Sequence, residues 1–378
     1  MFNSNSQYPI GLDISDSSLK LVQLDKKRNV FKIQAIGKID FTDKLLDRGE
    51  VINKENIVKA IKTIIEKPQY GKVSSNEAIV CLPESKTFIK LIEIEKTPNA
   101  IENIIEAEIE KHIPIAISDV YYDWQVIGGT RHHQLILTGV APKKTIDQYT
   151  KILEEAGLSA VAFEIESIAI CRSLLLEERP KFKGENKNYL IIDIGATRTG
   201  LTIYSKNTIL FTISIPISGN EITKKIAESL KIDQAQAEKA KLICGLDEDK
   251  AQGVVKDILS GVMDDLASKI SEAIDFYGNH FPDRGPIHQI ILGGGGANIK
   301  KLNKIINEKL NINTIVGDPL TNLDGAKEDF SKILHSIKHS ETVKRYQAKD
   351  KPSSLTNDFK ASFSTAIGLS LRSLFLEE

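Results

Sequence analysis

The chain has 378 residues, 41% of them hydrophobic, and its 50 basic and 51 acidic residues leave a net charge of −1. That length exceeds one ordinary core, and a balanced charge without a long basic run argues against nucleic acid as the main partner. The three scattered cysteines (Cys81, Cys171, Cys244) suit core positions in a reducing compartment, no apolar run is long enough to span a bilayer, and no signal peptide is evident.

In chain order, Met1–Gln7 reads as a polar leader. Ile10–Leu24 (IGLDISDSSLKLVQL) is a strand that delivers Asp13, a small polar turn (Ser15, Asp16, Ser17, Ser18), and an apolar return carrying Lys20. Ile52–Lys67 predicts an amphipathic helix with Ile57, Val58, Ile61, Ile64 and Ile65 on one stripe. Ala78–Leu82 is a buried strand stopped by Pro83. Thr97-Pro98 is a helix-start signal for Asn99–His112, which Pro114 closes. Tyr121–Ile127 and His132–Val140 predict a hairpin around Gly128-Gly129, and Lys143–Ala156 a helix ending at Gly157. Leu158–Phe163 returns as a strand, Glu164–Glu177 as a helix, and Arg179–Lys187 as a charged linker.

Tyr189–Tyr204 (YLIIDIGATRTGLTIY) then repeats the first unit. A strand delivers Asp193, 180 residues after Asp13, a turn follows (Gly195, Ala196, Thr197, Arg198), and an apolar run returns. Ile209–Ile217 continues as a strand, Glu221–Leu230 as a helix behind Ser218-Gly219-Asn220, and Asp257–His280 as one or two long amphipathic helices. Ile287–Leu292 predicts a buried strand that runs straight into Gly293, Gly294, Gly295 and Gly296, with Asn298–Leu310 at helical spacing behind them. Asp318–Lys360 has mixed charge and one helical stretch, Phe330–Ile337; Phe363–Phe375 is a closing helix. His132-His133 and His335/His339 lack further ligands at metal spacing and read as surface residues.

A duplicated strand–Asp–turn–strand unit predicts two similar lobes, each aiming a carboxylate and turn amides at the space between them. Those amides and the helix N-terminus behind the glycines make an anion cradle. Asp13 and Asp193 beside it could hold Mg²⁺ through its waters. A nucleotide polyphosphate is the simplest ligand of that shape and charge. Neither a P-loop nor a GxGxxG fingerprint is present.

The order of Asp13 turn, Asp193 turn and tetraglycine bend resembles the actin-like ATPase superfamily. Within it the chain is similar to the PilM family of type IV pilus assembly and to FtsA, supported by EAEIEKHIP (106–114), DVYYDW (119–124), EIESIA (164–169) and AIGLSLR (366–372). The resemblance implies an α/β actin-like fold of two duplicated lobes around a nucleotide cleft. A first lobe would span 8–178, with a small α+β insert at about 84–157. A second would span 188–317, followed by a variable segment 318–360 and a closing helix 361–376. It implies ATP and Mg²⁺ as cofactors, Lys20 as a phosphate contact and Gly219 in a turn at the nucleotide. Glu238 and Lys241 would touch the nucleoside, unless they form only an exposed ion pair. Glu166 would orient the attacking water, or else merely begin a helix. Where Asp16 stands the family usually has an uncharged residue, and a carboxylate there repels phosphate unless it turns away.

The function that follows from the resemblance is an ATP-binding adaptor, at most a slow ATPase. It would bind the N-terminal cytoplasmic peptide of a PilN-like membrane protein in a groove beside the insert and connect to pilus motor or platform proteins. The expected location is the inner face of the cytoplasmic membrane, reached through a partner rather than by a tether in the chain itself; a homo-oligomer stays open. An FtsA-like filament former and a small-molecule kinase are the alternatives.

Overall fold

A strand covered on both faces is apolar over most of its length, and all five residues of β1 (Ile10–Ile14) are buried, the carboxylate of Asp13 among them. The structure is a computed structural model that describes residues 8–27, 30–41, 43–96, 101–176, 187–323, 330, 333 and 360–375. From β1 the chain makes β2 (Ser18–Lys27), β3 (Val30–Asp40) and the short hairpin β4 (Leu46–Asp47) and β5 (Glu50–Val51). Arg48 and Gly49 both take positive φ in its two-residue turn. Helix α1 (Lys54–Glu66) follows, capped by the Asn53 side chain, and its buried Ile57, Val58, Ile61 and Ile64 are the predicted stripe. Next come β6 (Tyr70–Gly71) and β7 (Glu77–Leu82).

β8 (Phe88–Glu95), α2 (Ile101–His112), β9 (Val120–Gly129) and β10 (His133–Pro142) form a separate three-stranded sheet, ordered β8-β10-β9, with α2 against it. Its own core holds Ile92, Ile94, Ile105, Ile109 and Ile136. The Thr97-Pro98 start signal lies outside the described residues. The hairpin turns at Thr130–His132 rather than at Gly128-Gly129, which are paired within β9 to Leu135 and Gln134. Thr130 is the reason: its Oγ1 accepts from the His132 and His133 amides, closing a tighter side-chain turn than the glycines require.

Helix α3 (Lys143–Glu155) buries Tyr149, Ile152 and Leu153 in the core of the first sheet, with α1. β11 (Ser159–Ile165) completes that sheet, ordered β11-β7-β1-β2-β3-β6, and α4 (Glu166–Leu174) lies behind it. Glu164 and Ile165 therefore end a strand instead of beginning a helix.

The second sheet repeats this plan. β12 (Asn188–Ile194), β13 (Thr199–Ser205) and β14 (Thr208–Ile215) are antiparallel neighbours, as β1, β2 and β3 are. Helices α5 (Gly219–Leu230), α6 (Gln234–Ile243) and α7 (Val254–His280) follow. Helix α7 is continuous and buries Leu259, Leu266, Ile270 and Tyr277 against the sheet. β15 (Gln289–Gly293) then adds parallel to β12, α8 (Leu302–Leu310) returns, and β16 (Thr314–Val316) adds parallel to β15. In the first sheet β7 and β11 occupy those two parallel places.

Helix α9 (Ser364–Phe375) crosses back over the first sheet. Ser370 Oγ takes the Gly11 N–H at 3.0 Å and donates to Val22 O at 2.6 Å. The approach is so close that a Cβ on Gly11 would stand 2.2 Å from Ala366 O, and one on Gly368 1.8 Å from Ala169 O. Ala366, Ile367, Leu371 and Leu374 fill a core with Val22, Leu24 and Ile36. Of the predicted helix 330–337, only Phe330 and Ile333 are described, both helical and buried.

Candidate functional site

Asp13 and Asp193 are the next-to-last residues of β1 and β12, and each hairpin that follows is closed in the same way. Ser15 N–H donates to Ser18 O at 3.0 Å, and Gly195 N–H to Arg198 O at 2.9 Å. Those are the second and fifth residues after Asp13 and Asp193 respectively. Both turns open on one cleft of about 1050 Å³ between the sheets. Its walls include Asp13, Ser15, Ser17, Ser18, Lys20, Glu166, Asp193, Gly195, Ala196, Thr197, Gly219, Glu238, Lys241, Gly294, Gly295 and Gly296. Sequence reasoning had singled out all of these. Gly293 is the exception: it ends β15 beside Asp193 and does not line the cleft.

Lys20 Nζ binds Asp13 Oδ2 at 2.8 Å, with both side chains almost wholly buried. Burial pulls the ammonium pKa down, but Asp13, Glu166 and Asp193 together outweigh it, and the net shift is upward. Among the described residues Asp193 has no such cation of its own. Burial raises its pKa and Asp13 adds to that, with Lys20 opposing. Burial, then Asp193, Asp13 and Glu84, push Glu166 well above the usual carboxylate range, again against Lys20. Glu166 opens α4, so its position suits the helix dipole as well as the cleft. Ligand atoms of Asp13, Glu166 and Cys81 lie within 4.8 Å of one another. Burial holds the Cys81 thiol well above its ordinary pKa, as a core thiol.

Asp16 turns away from the cleft centre. Its carboxylate accepts from the Arg48 and Gly49 amides at 3.1 and 3.0 Å and from the Thr197 hydroxyl of the opposite turn at 2.9 Å. A phosphate in the cleft would therefore meet the amide side of this turn rather than its charge.

The second lobe supplies a polar cluster built around the buried Lys241. Lys241 Nζ reaches Glu238 Oε2 at 2.7 Å, Thr223 Oγ1 at 2.8 Å and Gly219 O at 3.1 Å. The Lys241 side chain is only 7% exposed and that of Glu238 41%, so the ion pair is buried at its cation and open at its carboxylate. The cluster fixes the start of α5, where Ser218 also caps the Glu221 amide.

The glycine bend differs from its expected form. Gly295–Asn298 is a short 3-10 turn, and α8 begins only at Leu302. Lys301 takes a left-handed φ of 61°, and Leu246 N–H holds Lys300 O at 3.0 Å, so the intervening residues cannot continue a helix. The N-terminus of α8 is thus not directly behind the glycines. Gly294 needs its positive φ of 73°, and a Cβ there would lie 2.6 Å from Ile194 O; Gly296 is as tightly backed by Ile194. A Cβ on Gly295 would meet nothing within 4 Å. The bend is packed from behind and open in front, with Asp193 beside it and Asp13 and Lys20 in the wall of the same cleft. That donor set fits a phosphate chain with a hard cation.

Sequence reasoning missed Lys38, Arg48, Glu84, Arg198 and Asn298, which also line the cleft. Arg198 alone carried a signal, lying inside the second turn, where its Nε binds Ser214 Oγ at 2.5 Å.

The profile of the family described as type IV pilus assembly protein PilM matches residues 11–374. The cell division protein FtsA of Buchnera aphidicola subsp. Baizongia pistaciae is 25% identical over 337 residues, 73% of this chain and 76% of that one. Other FtsA proteins are spanned over 49% to 82% of their length. Among solved structures, a PilM–PilN type IV pilus biogenesis complex superposes with a TM-score of 0.77 at 21% identity, covering 97% of this chain and 98% of that one. MreB5 of Spiroplasma citri bound to AMPPNP superposes with a TM-score of 0.51 at 15% identity, covering 88% and 98%. The fold these structures share is the actin-like one.

Proposed function

The chain belongs to the type IV pilus assembly protein PilM family, and from that premise we propose that it is an ATP-loaded adaptor of pilus assembly. The observation that carries the nucleotide reading is the pair of identically closed Asp turns facing one cleft, with Lys20 bound to Asp13 and within electrostatic reach of Asp193. Mg²⁺, when bound, neutralises phosphate charge; Asp13 and Asp193 are the residues to hold it through water. The amides of both turns and of the glycine bend take the phosphates, and Glu238 with Lys241 borders the nucleoside. MreB5 of Spiroplasma citri, of the same fold, is bound to AMPPNP.

Glu166, in the cleft wall at the start of α4, is the carboxyl placed to orient an attacking water. Burial, Asp193, Asp13 and Glu84 shift its pKa upward, against Lys20. Turnover is at most slow.

The partner is the N-terminal cytoplasmic peptide of a PilN-like membrane protein, as the solved PilM–PilN complex supports. β9 is an edge strand of the insert sheet. Beside it lies a hollow of about 400 Å³ bordered by Glu106, Ile117, Val120, Tyr121 and Lys143. An extended peptide adds to such an edge through main-chain hydrogen bonds, with the hollow as a side-chain pocket. Among the described residues no helix is long and apolar enough to cross a membrane, so attachment to the inner face of the membrane runs through this partner. Motor or platform proteins of the pilus are met from the same position.

Calorimetry tests both halves. ATP with Mg²⁺ binds the wild-type chain, and the PilN-like peptide binds more tightly when ATP is present. A chain that ignores ATP, or equal peptide affinities with and without it, overturns the reading. Robust phosphorylation of a sugar or small acid would replace it with a kinase.

A further inference from the structure

The two hairpins differ at one aligned position. Seven residues after Asp13 stands Lys20, its register partner; seven after Asp193 stands Gly200, likewise its partner. Gly200 has no left-handed φ that would demand glycine. What demands it is space, because a Cβ there would sit 2.6 Å from Glu84 Oε2. Glu84 thus enters the second lobe at the place where the first lobe carries a lysine.

Glu84 comes from a revealing element. β7 and β15 hold the same place in their sheets, and both run into a 3-10 turn, Glu84–Lys86 in one and Gly295–Asn298 in the other. The first-lobe turn is also the entry to the insert, since β8 follows at Phe88. It is fixed from its own side by Ser85 Oγ donating to Arg48 O at 2.9 Å and by Pro83 packed on Gly49. From there the Glu84 carboxyl reaches β13 and β14 beside Thr212, and its Oε1 is enclosed without a hydrogen-bond partner among the described residues. A buried polar atom left unsatisfied is tolerated where position matters more than local stability. The contact continues along β8: Leu91 packs against the second-lobe core and Ile89 against the cluster of Ile191 and Ile209.

We infer that Glu84 is a positioning residue that keys the insert to the second lobe in the socket left by Gly200, so that closure of the second lobe over ATP carries β8, and with it the peptide-binding sheet, into its partner-ready orientation. This rests on the nucleotide reading above. It names a physical link by which a ligand in the cleft distinguishes two positions of the insert, as some such link must if ATP is to change peptide affinity.

Hydrogen–deuterium exchange of the full chain, with and without ATP and Mg²⁺, separates the two ideas, each variant being measured at its own saturating nucleotide. In the wild type, amides of the Asp13 and Asp193 turns and of residues 86–96 all exchange more slowly with ATP, by about 5-fold or more. In Glu84→Ala the turns still respond and residues 86–96 no longer do. Gly200→Ala, which displaces only the end of a flexible side chain, has the same effect and adds nothing in the Glu84→Ala background. Glu84→Gln, which keeps shape and polarity, retains the response, so a loss in Glu84→Gln equal to that in Glu84→Ala would overturn the inference in favour of a role for the charge alone. If the turns respond while residues 86–96 stay unchanged in the wild type, or change equally in Glu84→Ala, the inference fails alone. If the turns themselves ignore ATP, the proposed function fails and takes this inference with it.

Discussion

The Asp13 and Asp193 hairpins share their backbone and differ in their charges. Each has the same spacing, the same turn closure and the same place in a sheet of the same topology. Yet Asp13 is held by a buried lysine, whereas Asp193 faces a glycine and a carboxyl group from the other lobe. Duplication kept the geometry that cradles an anion and let the side chains specialise. One lobe carries the balanced charge pair, and the other carries the carboxylate that a bound cation would have to balance.

Four experiments break or sharpen this contrast. The largest effect belongs to Gly294→Val, which forces a branched residue into a left-handed φ against Ile194 O; nucleotide binding disappears in calorimetry, and unchanged affinity would remove the bend from the site. Next come the matched substitutions Asp13→Asn and Asp193→Asn. The first leaves Lys20 buried and unpaired and lowers stability without ligand by about 3–5 kcal/mol. The second relieves a carboxylate that burial already disfavours, so stability without ligand holds or rises. Both lose Mg²⁺-dependent ATP affinity. Equal losses of stability in denaturant titrations would show that the lobes are not electrostatically distinct.

A smaller effect is set by pH. Burial, with Asp193 adding and Thr212 and Arg198 opposing, raises the Glu84 pKa from 4.5 to about 7. The folded chain therefore binds more protons than the unfolded one between those values, and stability falls as pH rises through that window, then levels. Glu84→Gln removes that component, visible as a flatter melting-temperature profile between pH 5 and 7; an unchanged profile would deny the burial. The smallest is Thr197→Ala, which takes one hydrogen bond from Asp16 and costs about 1 kcal/mol or less in a thermal or denaturant melt. A larger loss would make that turn-to-turn bridge, rather than Glu84, the main tie between the lobes.

What the sequence disclosed follows from what is local in it. Asp13, Asp193 and their turns are contiguous stretches with a repeat, so the duplicated hairpins and the actin-like fold were legible. Glu84 was not, because its meaning depends on Gly200, which is distant in sequence and near only in space. The start of α8 was misplaced because Ile299 and Leu302 keep a helical spacing that the left-handed Lys301 interrupts. The β9–β10 turn was misplaced because two glycines outweigh one threonine in any local reading, although the Thr130 hydroxyl fixes the turn. The buried state of Lys241 was equally invisible, since an i, i+3 pair looks the same at a surface and in a cluster.

The seating of α9 on β1 sets an order of events during synthesis. The strands made first lack a cover on one face until the residues near 366–374 have left the ribosome, whereas the second sheet and its helices arrive as one unbroken stretch. At about 5–20 residues per second, the unfinished first lobe is exposed for tens of seconds. A nascent chain stalled shortly before Ala361 should carry a finished second half and an adhesive, chaperone-dependent first one.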